Sequence, residues 1–203
     1  MGEAALDVEF DKTVAPPPDK RIPGEPGLWV FLLGDMVIFA VMFVAFLIER
    51  AADEELFRSS RESVDLTVAL VNTMILLISS LLVVVALNSA RARRFANAAA
   101  LVGGALICAL AFVALKSTEY AHLIDVGHGP SSNPYFLWLF ILTGIHLSHV
   151  VIGFLALGIF FANARREKSA DGERRVFYEG AACYWHLVDL LWMVLFPLVY
   201  LVA

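Results

Sequence analysis

Five long apolar segments dominate this sequence and restrict what it can fold into. A helix needs about 20 apolar residues to cross a hydrocarbon core of roughly 30 Å. We place such segments at residues 28–48, 67–87, 97–116, 135–161 and 181–202. Because 60% of the 203 residues are hydrophobic and only 17% are charged, lipid is the expected solvent. The sequence predicts an all-α fold, a polytopic membrane bundle with five transmembrane helices.

The remaining segments are short and polar. Residues 1–27 contain no apolar run, so we expect no cleavable secretory signal, and their acidic head and Pro16–Pro18 run predict a flexible cytoplasmic tail. Residues 28–203 then form one domain. Residues 49–65 mix both charge signs with spaced apolar positions, which is typical of a short surface helix. Residues 127–134 read as a turn-rich loop.

The distribution of Lys and Arg predicts the orientation in the membrane. The N-terminal tail, residues 88–96 and residues 163–180 carry 3, 3 and 5 of them, against 3 in residues 49–66 and none in residues 117–134. Loops rich in Lys and Arg stay in the cytoplasm. We therefore expect the N-terminus inside and the C-terminus outside.

Several classes of function are disfavoured by what the sequence lacks. A net charge of -5 and the absence of a Lys/Arg run argue against nucleic-acid binding. Cys108 and Cys183 form no CxxC pattern, so we interpret them as buried small hydrophobes. The sequence has no GxSxG, P-loop, HExxH or GxGxxG motif. An odd number of predicted spans also disfavours a secondary transporter, because many of these proteins are built from two paired halves.

Ionisable residues inside the predicted spans are the candidate functional residues. Each costs about 2.5–3.5 kcal/mol to insert, so each should face protein, water or a partner. They are Asp35, His146, His149, His186 and Asp189, with Lys116 and Glu119 at an outer helix end. Counting along the predicted helices places Asp35, His149, His186 and Asp189 in one layer in the cytoplasmic third, with His146 nearer the midplane.

The spacing of these residues leaves four interpretations open. His146 and His149 are three apart, as are His186 and Asp189, so each pair shares a helical face and the two faces could meet. Such a site could relay protons, bind a lipid headgroup, or be a hydrogen-bonded seam that fixes helix register. His149 and His186 could also clasp one haem. Glu119 is expected to pair with Lys116, three residues before it.

Other intramembrane residues are assigned to packing. Small residues allow helices to approach closely, and short polar side chains supply interhelical hydrogen bonds. The first group is Gly103, Gly104, Gly144, Gly153 and Gly158, and the second is Asn72, Thr73, Ser79 and Ser80. Trp29, Trp138 and Tyr200 suit interfacial anchoring, whereas Trp185 and Trp192 could pack inside the bundle.

Five segments, in order along the chain, carry a family resemblance. They are PGLWVFLLGDMVIF (26–39), NTMILLISS (72–80), KSTEY (116–120), FILTGIHLSHVVIG (140–153) and YWHLVDLLW (184–192). With these segments the chain resembles subunit III of the haem-copper respiratory oxidases, in its short five-helix bacterial form. The resemblance touches every predicted helix and places the protein in the bacterial inner membrane.

The resemblance implies an accessory subunit with no catalytic site of its own. Such a subunit holds no haem or copper, packs against the haem-copper catalytic subunit I and its companion subunits, binds phospholipid, and supports proton uptake and durable turnover. The resemblance implies that the polar positions of the family correspond, within the matching motifs, to Asp35, Glu119, His146, His149, His186 and Asp189. The acidic position of the first helix is commonly Glu in cytochrome oxidases and is Asp here.

The branch of the family and the rival functions stay open at this point. The Pro-Gly-Glu-Pro-Gly lead and the Leu-Gly-Asp motif look most like the branch encoded with nitric oxide reductases, the E-type accessory proteins. A stand-alone transporter of protons or small molecules, a haem-binding electron carrier and a transient assembly factor are the alternatives. Five histidines are too few for a complete haem-copper centre.

Overall fold

The computed structural model describes residues 26–166 and 172–202, and within these ranges the chain is helical apart from short connections. The helices are α1 (Pro26–Ala52), α2 (Glu54–Arg61), α3 (Leu66–Arg91), α4 (Phe95–Asp125), α5 (Pro134–Arg166) and α6 (Gly172–Pro197), followed by a π-helical turn over Leu198–Val202. Five of these helices are long and apolar enough to cross a membrane. The predicted all-α membrane bundle is confirmed, as is the short helix after the first span.

The helices extend beyond the predicted apolar segments. α4 continues nine residues past Lys116 to Asp125, and α6 begins at Gly172 rather than at Ala181. Backbone hydrogen bonding continues through polar residues once neighbouring helices cover them, so apolar composition marks the lipid-facing part of a helix and not its ends. Of the predicted tail, residues 1–25 lie outside the described residues, and Pro26 and Gly27 already belong to α1.

Short polar side chains fix where the helices begin. The Asp53 carboxylate accepts from the Leu56 N–H at 3.2 Å, and Asp65 accepts from Thr67 N–H at 2.8 Å. Asn133 caps α5 by accepting from Phe136 N–H at 3.0 Å, directly before Pro134. These bonds satisfy N–H groups that have no partner within the helix. At the end of α4 the chain turns through Gly127, whose φ of 85° disfavours a side chain.

Contacts between helix ends assign the connections to two ends of the bundle. At the α2 end, the Asn133 amide donates to Ser60 Oγ at 2.9 Å, and Arg61 donates to the carbonyl of Leu201 at 3.3 Å. At the opposite end, Arg91 at the end of α3 pairs with Glu179 at the start of α6 at 3.0 Å. The chain therefore crosses the bundle five times with alternating direction.

The core lies among α3, α4, α5 and α6, and α1 packs at its edge. Phe112, Trp185 and Trp192 are fully buried at the centre, whereas α1 exposes most of its apolar side chains. Such exposure is expected where a helix meets lipid or another membrane subunit.

The predicted close-packing role is confirmed for three of the five glycines. A Cβ at Gly103 would lie 3.3 Å from Phe161, one at Gly104 3.2 Å from Leu82, and one at Gly153 2.7 Å from Trp185. The prediction is wrong for Gly144 and Gly158, which have open space beside them. Cys108 and Cys183 are free and only half-buried, which corrects their predicted burial.

Candidate functional site

Asp35 and His149 form an ion-pair-type contact between α1 and α5. His149 Nε2 lies 3.0 Å from Asp35 Oδ1, and both side chains are largely shielded, with relative exposures of 13% and 9%. The aromatic ring of Phe39 packs edge-on against the imidazole at 5.4 Å. This contact ties the edge helix α1 to the core.

The hydrogen bonds of His149 restrict where the protons of this pair can be. His149 Nδ1 lies 2.8 Å from the Ile145 carbonyl oxygen, which only accepts, so Nδ1 carries a hydrogen. The Nε2 contact with Asp35 then holds one further proton, either on the imidazole or on the carboxyl. Both arrangements leave the pair with no net charge, which suits a low-dielectric site.

Ser80, His186 and Asp189 form a second polar cluster, between α3 and α6. Ser80 Oγ lies 2.8 Å from His186 Nδ1. Asp189, one helical turn further along α6, lies near the same hydroxyl. Among the described residues, neither carboxyl oxygen of Asp189 has a hydrogen-bond partner. Both oxygens are shielded from outside the bundle, so this carboxyl group is enclosed beside the Ser80 hydroxyl.

The two clusters lie at one level of the bundle. Leu28 packs against Gly180, and the rings of Phe31 and Tyr184 lie 6.3 Å apart, so α1 and α6 run side by side in register. One turn further on, Asp35 is level with Asp189. The depth of this level within the membrane stays a prediction.

The predicted meeting of the two histidine-bearing faces does not occur. His149 turns to Asp35 on α1, and His186 turns to Ser80 on α3. His146 is fully buried against the rings of Phe112, at 5.8 Å, and Trp192, at 5.1 Å. The rotation of each helix about its own axis explains the difference. Side chains three residues apart on a helix point in directions that differ by about 60°, so they can face different neighbouring helices.

Lys116, Glu119 and Tyr200 form a third, fully enclosed cluster. Lys116 Nζ donates to both carboxylate oxygens of Glu119 at 3.0 Å and also to the Tyr200 hydroxyl, which in turn donates to Glu119 Oε1 at 2.7 Å. The pairing of Lys116 with Glu119 is confirmed. Its expected place at an outer helix end is wrong, because α4 continues beyond it and the side chains are only 1% and 6% exposed.

Aromatic rings surround the ammonium group of this cluster. Lys116 Nζ lies 4.9 Å from the ring centre of Tyr200 and 5.5 Å from those of Tyr120 and Trp192. Cation–π attraction adds to the ion pair and gains strength where water is excluded. Tyr200 is 2% exposed, so its predicted role as an interfacial anchor is wrong.

The π-helical turn places Tyr200 inside the bundle. This turn follows Pro197, and such turns leave backbone carbonyls without their usual partners. Arg61 donates to the carbonyls of Tyr200 and Leu201 at 3.5 and 3.3 Å, and the Tyr135 hydroxyl donates to that of Val199 at 3.3 Å. Nothing in the apolar pattern of the last segment signals this turn.

The short polar residues of α3 mostly act as predicted. The indole N–H groups of Trp185 and Trp192 donate to Ser79 and Thr73 at 3.1 and 3.0 Å. The packing interpretation of these tryptophans is thereby confirmed. Asn72 is the exception, since its buried amide has no partner among the described residues.

The histidine arrangement does not fit a haem clasped between α5 and α6. Both ring nitrogens of His149 are occupied, by Asp35 and by the Ile145 carbonyl, so His149 has no free nitrogen for the iron. Within residues 26–166 and 172–202, no group of three or more His, Cys, Asp or Glu side chains could hold a metal ion.

Comparisons with known proteins point to one family. The family described as cytochrome c oxidase subunit III matches residues 24–203. The chain is 31% identical to cytochrome bo(3) ubiquinol oxidase subunit 3 of Pseudomonas aeruginosa, over 87% of this chain and 84% of the relative. It is 31% identical to cytochrome c oxidase subunit 3 of Thermostichus vulcanus, over 92% of this chain and 89% of the relative. Quinol oxidase subunit 3 of Bacillus subtilis is 27% identical to it, over 87% of this chain and 86% of the relative.

Proposed function

This chain belongs to the cytochrome c oxidase subunit III family, and from that we propose that it is a non-catalytic accessory subunit of a haem-copper terminal oxidase. The observation that carries the proposal is the family match over residues 24–203, which includes every described helix. Haem, copper and the chemical step belong to a catalytic subunit I and its companion subunits. This chain contributes durability of turnover and support for proton uptake.

The three polar clusters suit such a supporting role. Asp35 with His149 and Lys116 with Glu119 are shielded pairs that join or stiffen helices. The contact of Asp35 with His149 ties α1 to α5. Phospholipid is the expected companion of the exposed apolar face of α1.

We place the N-terminus in the cytoplasm and the C-terminus outside. The end of the bundle opposite α2 carries Arg91, Arg93, Arg94, Arg165, Arg166 and Arg175 among the described residues, whereas the α2 end carries Arg50, Arg58 and Arg61. This bias follows the positive-inside rule.

Affinity purification of the tagged chain from its native membrane in mild detergent tests the proposal. We expect stoichiometric co-purification of haem-copper catalytic subunits, identified by mass spectrometry, and oxygen consumption by the purified complex. Nitric oxide consumption instead would assign the chain to the nitric oxide reductase branch, the alternative that the Leu33-Gly34-Asp35 motif favours. A solitary protein that moves protons or solutes in liposomes would replace the proposal with the transporter hypothesis.

Replacing Asp35 by asparagine is expected to shorten the working lifetime of the complex. The amide cannot hold the shared proton, and the contact with His149 loses its charge-assisted character. We expect an initial rate of haem reduction close to that of the wild type and a several-fold smaller number of turnovers before inactivation. Stopped-flow reduction and progress curves of oxygen consumption measure the two quantities.

The matched control for this variant is Asp125→Asn, at the exposed end of α4. It should leave both quantities unchanged. Loss of haem reduction in Asp35→Asn, with composition and durability intact, would contradict a supporting role for this carboxyl.

A further inference from the structure

A small cavity lies between the end of α3 and the first turns of α6, at the end of the bundle opposite α2. Its volume is about 100 Å³, and its walls are formed by Leu87, Ala90, Arg91, Arg93, Arg175 and Tyr178. The side chains of Arg91 and Arg175, which come from different helices, are 40% and 65% exposed. The cavity can therefore be reached from outside the chain, and three guanidinium groups line it.

The positive charge of this lining is only partly neutralised. Glu179 Oε1 accepts from Arg91 at 3.0 Å and from Arg175 at 3.4 Å, so one carboxylate serves two guanidinium groups. Within residues 26–166 and 172–202, no hydrogen bond or ion pair engages the side chain of Arg93. Three arginines against one glutamate leave an excess of two positive charges around the cavity.

Arg93 also occupies a backbone position that favours glycine. Its φ is 58°, in the left-handed region. The Arg93 N–H donates to the Ala90 carbonyl at 3.0 Å, and the Arg94 N–H donates to the Ser89 carbonyl at 2.9 Å. These two bonds define a helix end at which the left-handed residue is usually glycine, because a Cβ is unfavourable there. An arginine is thus present at a conformational cost, and its side chain lines the cavity.

A phosphate group is the ligand that matches this lining. The planar guanidinium group donates paired N–H bonds to the oxygen atoms of phosphate. A water molecule takes up about 30 Å³ in the liquid, so the cavity has room for a group as large as a few water molecules. Basic pockets between transmembrane helices at the cytoplasmic surface are known to bind the headgroups of anionic lipids.

The general excess of arginine at this end of the bundle does not account for the arrangement. The positive-inside rule counts Lys and Arg in a connection and does not depend on where their side chains point. Arg166, at the end of α5, adds to that count from an exposed position and does not line the cavity. The convergence of three guanidinium groups from two helices on one cavity needs a separate reason.

The position of the cavity suits a group at the membrane surface. α3 has 26 residues, or about 39 Å at 1.5 Å per residue, which exceeds the roughly 30 Å of hydrocarbon. The charged end of α3 at Arg91 therefore lies at the level of the headgroups. Val84 is 42% exposed and lies on the same stripe of α3 as Leu87 and Arg91, so it offers an apolar surface to an acyl chain.

We propose that this cavity binds a phosphate group, which Arg91, Arg93 and Arg175 hold through charge-assisted hydrogen bonds. The phosphate belongs either to the headgroup of an anionic phospholipid or to free inorganic phosphate. Every residue of the site belongs to this chain, so the inference goes beyond the proposed function and holds whichever subunits co-purify with the chain.

Arg93→Gly tests the proposal without endangering the fold. Glycine is the favoured residue at this φ, so we expect unchanged or higher stability together with the loss of one phosphate-binding group. The purified complex is freed of lipid by detergent exchange and titrated with phosphatidylglycerol, and native mass spectrometry counts the bound lipids. A charge-assisted hydrogen bond changes affinity by about tenfold or more. We expect one phosphatidylglycerol that the wild type binds to be weakened by at least this factor.

Arg166→Gln is the matched control, because it removes one positive charge from the same end of the bundle outside the cavity. We expect it to bind phosphatidylglycerol like the wild type, and we expect diacylglycerol, which has no phosphate, not to compete. Equilibrium dialysis with inorganic phosphate distinguishes the two sources. Binding of inorganic phosphate that requires Arg93, with an unchanged lipid count, would assign the site to the free ion.

Two results would overturn the proposal. One is equal binding of both phosphatidylglycerol and inorganic phosphate by the wild type and Arg93→Gly. The other is a loss of binding in Arg166→Gln as large as that in Arg93→Gly, which would show that the overall charge of this end acts and not the cavity.

Discussion

Lys116→Met is expected to destabilise the bundle by about 3–5 kcal/mol, because it leaves the Glu119 carboxylate buried without its counter-charge. Lys116 and Glu119 are 1% and 6% exposed, and the Tyr200 hydroxyl alone would remain to bond the carboxylate. The three aromatic rings around the ammonium group would also lose their cation–π contacts. Unfolding in mixed micelles with increasing SDS, followed by tryptophan fluorescence, measures the change.

Two controls separate this effect from a general loss of packing. The double variant Lys116→Met/Glu119→Leu removes both charges, and we expect it to recover most of the lost stability, since apolar replacements of a buried pair are often neutral. Arg58→Met breaks the exposed pair with Glu55 and should leave the unfolding midpoint unchanged. A double variant as unstable as Lys116→Met would contradict the importance of the unpaired carboxylate.

Gly153→Ala is expected to lower stability by about 1–3 kcal/mol, the usual cost of overpacking a core. The added Cβ would lie 2.7 Å from Trp185 Cε3 and 3.0 Å from Cζ3. Trp185 is fully buried and its indole N–H donates to Ser79, so the ring has little freedom to move. The same unfolding assay measures the effect.

Gly158→Ala on the same helix is the matched control. No atom lies within 4 Å of its added Cβ, so we expect unchanged or higher stability through better helix propensity, by up to about 1 kcal/mol. Equal destabilisation by the two substitutions would show that the contact of α5 with Trp185 is not tight.

The five spans could be predicted from the sequence because apolar length alone satisfies the membrane requirement. Their ends could not, as α4 and α6 show. Lys116 and Glu119 look like a helix terminus by composition, yet tertiary contacts with Tyr200 keep them inside a continuing helix. The sequence carries only a weak signal for this cluster, because the cluster depends on a turn after Pro197 that directs Tyr200 inward.

The polar residues were identified from the sequence, but their partners were not. Helical periodicity predicts which residues share one face of a helix. The rotation of each helix about its axis depends instead on how side chains of neighbouring helices fit together, such as Trp185 against Gly153. That rotation sends His149 to Asp35 and His186 to Ser80 instead of toward each other. The functional roles of Asp35, Glu119, His146, His149, His186 and Asp189 stay predictions.

The most direct test of the accessory role is a reduced-minus-oxidised optical spectrum of the affinity-purified chain, recorded before and after separation from its co-purifying subunits. Our account predicts haem bands in the complex that remain entirely with the separated catalytic subunits, leaving this chain colourless. A Soret band that follows the solitary chain would contradict the account and show that the chain binds haem itself.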